Sequence, residues 1–117
     1  MTMFILGRII FGAYFLYSGF SHFQNEKMLT GYAKSKGIPS ARLAVLFTGL
    51  IMILGGLGFL FDMHRMEATV LLIIFLLPTT LMMHAFWKVK DPAHRSNEMI
   101  AFGKNAAIIG ALLMLLY

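Results

Sequence analysis

The sequence predicts an all-α fold: an integral membrane bundle of four transmembrane helices, with a short interfacial helix between the first and second. Three observations predict it. Of 117 residues, 59% are hydrophobic and 13% are charged, about half the charged share of a soluble domain. The apolar residues fall into four long runs, and the charged residues gather between them. One small core cannot cover so much apolar surface, so lipid must cover the rest. The mean hydropathy of +0.78 points the same way.

A span needs roughly 17–25 mostly apolar residues. Met3–Phe20, Leu43–Phe61, Ala68–Trp87 and Met99–Tyr117 meet that requirement. In lipid each must be helical, because an unpaired peptide group costs several kcal/mol there. A small β-barrel is excluded, since its strands would alternate polar and apolar residues. The opening Met-Thr-Met-Phe-Ile-Leu lacks the basic region and cleavage site of a secretory signal and reads as the start of the first span. The whole of 1–117 is expected to form a single transmembrane domain.

The longest connection, Ser21–Arg42, is divided by Gly31, Gly37 and Pro39. Within it, Asn25–Lys36 mixes Met28, Leu29 and Tyr32 with Lys27, Lys34 and Lys36, the pattern of an amphipathic helix lying in the interface. Pro39 or Ser40 can then begin the second span. Asp62–Glu67 reads as a tight turn. Lys88–Glu98 reads as a polar connection, with Asp91-Pro92 as a turn or helix start. Pro78 removes a backbone donor inside the third span, and Thr79 and Thr80 are placed to satisfy the freed groups.

Glycines mark expected packing faces. Gly55, Gly56 and Gly58 clear the second span for a neighbouring helix. Gly103 with Ala107, and Ala106 with Gly110, set small residues at helical spacing on the fourth.

Basic residues orient the bundle. Lys27, Lys34, Lys36 and Arg42 flank the first connection, Lys88, Lys90 and Arg95 the third, and Arg65 stands alone in the second. The positive-inside bias puts the first and third connections in the cytoplasm and both termini outside. The net charge of +5 is thereby read as orientation signal and lipid-headgroup contact, and no nucleic-acid partner is expected. With no cysteine, disulfides, iron–sulfur clusters and thiolate nucleophiles are excluded. His64 and His94 sit in connections without a metal-binding spacing.

Several motifs, taken in order, resemble the DoxX family of small bacterial membrane proteins. They are Arg8 and Gly12, Ser18-Gly19-Phe20-Ser21-His22, and Tyr32-Ala33-Lys34-Ser35-Lys36-Gly37-Ile38-Pro39. Gly55-Gly56, His84-Ala85-Phe86-Trp87 and Phe102-Gly103-Lys104-Asn105 follow. The resemblance implies a four-helix bundle of the bacterial cytoplasmic membrane, sometimes associated with redox enzymes. Relatives include a subunit of an archaeal thiosulfate:quinone oxidoreductase and partners of oxidative-stress proteins. Many members carry a glutamate three residues before the paired glycines, where this chain has Met52.

An ionisable residue inside a span costs about 2.5–3.5 kcal/mol near its centre, which makes each one a candidate for function. His22, His84, Lys104 and Asn105 all fall toward the cytoplasmic end. They form a candidate polar pocket for a quinone or lipid headgroup, with Phe23, Phe86, Trp87 and Phe102 expected to flank a flat ring. Arg8 is an intramembrane charge roughly 21 Å from His22 along a straight helix, at the opposite end. No catalytic set emerges.

Three functions follow in order. The first is a non-catalytic accessory or structural subunit of a larger redox-linked membrane complex, with a membrane protein partner or a second copy. The second is a stand-alone quinone- or lipid-binding redox protein using the polar pocket. The third, well behind, is a small-solute transporter.

Overall fold

The computed structural model describes residues 2–116, which form five α-helices and one short 3-10 turn. In chain order these are α1 (Thr2–Gln24), α2 (Glu26–Ser35), α3 (Ala41–Leu60), α4 (Arg65–Met83) and α5 (Pro92–Leu115), with the turn at Phe86–Lys88 before α5. No strand occurs among the described residues. Four helices are long and apolar enough to cross a membrane. The longest dimension is 46 Å, which matches a bilayer of about 40–45 Å including its headgroup regions.

Glycine sets where α1 and α3 meet. A Cβ at Gly12 would lie 2.8 Å from the Gly56 carbonyl oxygen, and one at Gly19 would lie 2.7 Å from that of Gly49. Real Cβ atoms do not approach so closely, so the two backbones touch where only hydrogen fits. Gly12 and Gly19 are seven apart on one helix, Gly49 and Gly56 seven apart on the other, paired in antiparallel register. The small-residue packing expected of α3 is therefore present. Its neighbouring glycines serve a different helix: Gly55 accepts Leu72, and Gly58 accepts Ala68, both from α4.

Above these contacts, side chains from four helices close one apolar cluster. Phe15 of α1, Phe59 of α3, Leu72 of α4 and Leu112 of α5 are all essentially inaccessible. Phe11 joins Phe15 and Phe59 edge-to-face, at 5.1 and 5.4 Å between ring centroids. Outside the cluster the helices present large apolar side chains such as Ile10, Leu43, Phe47, Ile74 and Ile100. That surface suits lipid and no aqueous solvent.

Helix α2 ends in a Schellman motif. Gly37 takes φ of 78°, its N–H donates to Lys34 O at 2.9 Å, and the Ile38 N–H donates to Ala33 O at 3.1 Å. Glycine is required for that left-handed turn. Ile38 then packs against the cluster of Ala33, Ala41 and Val45, which folds α2 back onto the start of α3. At the other end of α2, Glu26 pairs with Arg42 of α3 at 2.8 Å.

Four expectations need correction. The second span begins at Ala41, and Ser40 precedes it in a left-handed conformation without a side-chain cap. The third helix stops at Met83, so His84–Trp87 lies beyond it, even though Ala85, Phe86 and Trp87 are apolar. There Phe86, Trp87 and Phe102 pack edge-to-face on one another, which holds the chain in a 3-10 turn. The fourth helix starts at Pro92, seven residues before Met99: Asp91 caps it by accepting from the His94 N–H at 3.0 Å, and Pro92 occupies the first turn, where no donor is missed. Finally, the Thr80 hydroxyl is buried without a hydrogen-bond partner, so it does not satisfy the groups freed by Pro78. Tyr117, placed in the fourth span, lies outside the described residues.

The small-residue face of α5 is also unused within the chain, since Cβ atoms at Gly103 or Gly110 would meet nothing within 4 Å. This contrast makes a test. Gly12→Val or Gly56→Val should lower stability by about 1–3 kcal/mol or more, as overpacking does, and Gly110→Ala should not. Thermal unfolding in mild detergent reads the difference.

Candidate functional site

Three elements meet at the α2 end of the bundle, each with a polar residue turned inward. On α5 the buried positions recur every seven residues, at Glu98, Asn105 and Leu112. Leu112 enters the apolar cluster, whereas Asn105 and Glu98 lie progressively nearer the α2 end. On α1, His22 sits one turn beyond Ser18. At the end of α4, His84 takes the C-cap position, released from the helix by the turn that follows.

These residues surround a cavity of about 280 Å³. His22, His84, Lys104 and Asn105 all line it, together with Ser18, Tyr32 and Met52. All four candidate residues are thus brought to one wall system from three helices. The aromatic neighbours differ from expectation. Tyr14, Phe15, Tyr32 and Phe75 line the cavity, because Phe86, Trp87 and Phe102 are engaged with each other and Phe23 lies against Gly49. Met52, at the position where many DoxX proteins carry glutamate, is buried in the same wall.

Hydrogen bonding fixes the protonation pattern. His22 Nδ1 lies 2.9 Å from the Ser18 carbonyl oxygen, so that nitrogen carries the proton. His84 Nδ1 lies 3.1 Å from Glu98 Oε1 and donates to a carboxylate. With Nδ1 as the donor, Nε2 of a neutral ring is an acceptor. Asn105 is buried yet makes no side-chain hydrogen bond among the described residues. Its amide is left for something in the cavity.

Glu98 is the residue that sequence reasoning missed. Assigned to a polar connection, it is in fact 5% exposed on the first turns of α5. Tyr32 donates its hydroxyl to the carboxylate at 2.7 Å, Lys36 forms an ion pair with it, and His94 Nε2 approaches to 3.9 Å. A carboxylate this buried persists as an ion only when donors surround it. Here the donors come from α2 and from the end of α4, so one side chain ties the interfacial helix to the bundle beside the cavity. Burial, followed by the hydrogen bond to Glu98, pushes the Tyr32 hydroxyl well above its ordinary pKa.

Arg8 is separate. It lies at the opposite end and pairs with Asp62 of the α3–α4 turn at 3.1 Å.

Four long apolar helices around a polar cavity at one end define a multi-pass helical membrane protein. A family model, DoxX, matches residues 3–85, more than two thirds of the chain, and the chain belongs to the DoxX family. No curated protein and no solved structure matches it. The matched region stops before α5, so Phe102–Asn105 and Glu98 lie beyond it.

Removing Glu98 should uncouple α2. Glu98→Gln leaves Lys36 buried beside a neutral amide and should cost about 3–5 kcal/mol, whereas Tyr32→Phe, which removes one hydrogen bond, should cost about 1 kcal/mol. Trypsin cleavage at Lys34 and Lys36 in detergent, alongside thermal unfolding, measures both. The Tyr32 contribution is fully present below its unfolded pKa of 10.0 and is lost as pH rises through the elevated folded value. An alkaline phenolate titration of wild type against Tyr32→Phe should therefore lose its most alkaline component.

Proposed function

We propose that this chain binds the ring headgroup of a membrane quinone or quinol in the cavity at the α2 end, within the bacterial cytoplasmic membrane. The observation that carries the reading is the convergence of His22, His84, Lys104 and Asn105 on one partly open cavity, with the Asn105 amide unpaired among the described residues. A cavity of about 150 Å³ takes benzene, so 280 Å³ has room for one substituted ring. The basic connections favour an orientation with this end in the cytoplasm.

The chemistry of the wall divides into donors and acceptors. Lys104 and Asn105 donate, which suits carbonyl oxygens. His22 Nε2 and His84 Nε2 accept, which suits the hydroxyls of the reduced ring. A bound quinone would supply a two-electron, two-proton redox couple. The chain's part is to accept hydrogen bonds from the ring hydroxyls at His22 Nε2 and His84 Nε2, and Glu98 holds the His84 ring in place through Nδ1. Tyr32 and α2 cover that end and limit water.

Titration calorimetry of the purified bundle with a short-chain benzoquinol tests this. Saturable binding is expected, weakened about tenfold by His84→Phe and by Asn105→Leu. Equal affinity in wild type and both variants would overturn the reading.

A second reading, an accessory subunit of a redox-linked complex, draws support from the unpacked small-residue face of α5. Such faces let another helix approach closely. Because the chain has no cysteine, Gly110→Cys is a single-site probe. A photo-activated cross-linker attached to Gly110→Cys should capture one discrete adduct in native membranes, with Leu43→Cys on a large-residue surface giving none.

A further inference from the structure

At the end away from α2, a second cavity of about 370 Å³ opens where α1 and α5 diverge. The quinol site has no part in it. Phe4, Phe11, Phe59 and Met114 make its walls largely apolar, yet Arg8 and Arg65 line it too. Two guanidinium groups on an apolar cavity need a reason, above all Arg8, whose burial carries a desolvation cost.

Among the described residues, one carboxylate pairs with both of them: Asp62, 3.1 Å from Arg8 and 3.2 Å from Arg65. The other titratable groups of this turn, His64 and Glu67, pair with each other at 2.9 Å, are exposed, and line a different cavity. The Arg8 side chain is only 15% exposed, and its Nε is buried with no acceptor among the described residues. Arg65 is held over the Phe4 ring, 4.8 Å from its centroid, which fixes its guanidinium at the rim. Gly7 keeps the wall open, since a Cβ there would meet nothing within 4 Å.

An occupant must therefore bring an oxyanion for the two arginines and apolar surface for the walls. A free phosphate satisfies the first and gains nothing from the second. We propose that this cavity binds an anionic phospholipid: Arg8 and Arg65 hold its phosphate, and its acyl chains begin along Phe4, Phe11 and Met114. Guanidinium suits phosphate through paired donors. The position fits as well, because the α3–α4 turn that supplies Asp62 and precedes Arg65 lies at the end of two spans, where headgroups lie.

Two variants probe the site by different routes. Arg65→Gln removes one cation and keeps the Arg8–Asp62 pair. Gly7→Leu retains every charge and adds bulk to the cavity wall at a position where a Cβ meets nothing within 4 Å. Native mass spectrometry of the purified protein, offered phosphatidylglycerol or phosphatidylcholine, reads retention of each lipid. Wild type should retain phosphatidylglycerol about tenfold better. Arg65→Gln should bring the two lipids close to parity, Gly7→Leu should lose both, and benzoquinol affinity should stay unchanged throughout. Equal retention by wild type, or phosphatidylglycerol binding that survives Gly7→Leu, would overturn the proposal. Displacement of the lipid by millimolar inorganic phosphate would overturn it too, by showing a site for the free ion.

Discussion

The backbone contact between α1 and α3 is the constraint on which the remaining structure depends. Membrane helices gain little from burying apolar side chains against each other, because lipid is equally apolar. Close approach must come from shape. Gly12 and Gly19 against Gly56 and Gly49 bring two backbones together with no side chain between. The same register points Phe15 into the shared cluster and leaves His22 one turn past the last glycine contact, on the cavity wall. A slip along this interface would move His22 away from His84 and Asn105.

From that fixed pair, the α2 end is assembled by charge. The Schellman turn at Gly37 folds α2 back, but Ala33, Val45 and Ile38 make only a small apolar contact. Glu98 does the rest by collecting Tyr32, Lys36 and His84 around one buried carboxylate. Such a cluster is a poor source of net stability compared with apolar packing. Its value is positional: it sets the covering helix and one cavity histidine by the same bonds. Glu26 and Arg42 fasten the other end of α2, where the hydrogen bond from Arg42 lowers the Glu26 pKa against the smaller opposing effect of burial.

Much of this was legible in the sequence, and the unread part has identifiable causes. Four spans and an interfacial helix follow from composition and charge placement, and Asn25–Lys36 anticipates Glu26–Ser35 to within a residue at each end. Hydropathy could not see that Ala85, Phe86 and Trp87 leave the helix, because their apolar character serves an aromatic contact with Phe102. It also could not place Glu98, whose burial depends on Tyr32, sixty-six positions earlier. One signal was present: Glu98 lies seven residues before Asn105 and fourteen before Leu112, on the same inward stripe of α5. Applying helical periodicity through the polar segment, instead of stopping at its first charge, would have put that carboxylate beside the histidines.

The two ends of the molecule solve opposite problems with the same economy of charge. At the α2 end, an acid is buried and bases are gathered to it, so the protein satisfies that charge itself and leaves two imidazoles, an amide and the Lys104 ammonium facing the cavity. At the other end, two bases share one acid, and an arginine nitrogen stays buried without an acceptor. The first arrangement suits a ligand that is neutral and exchanges protons; the second suits one that is permanently negative. Roughly 21 Å of α1 separates Arg8 from His22, with the Phe15–Phe59–Leu72 cluster in between. All four long helices run from one cavity to the other, so a shift in the glycine contact of α1 with α3 would be felt at both ends.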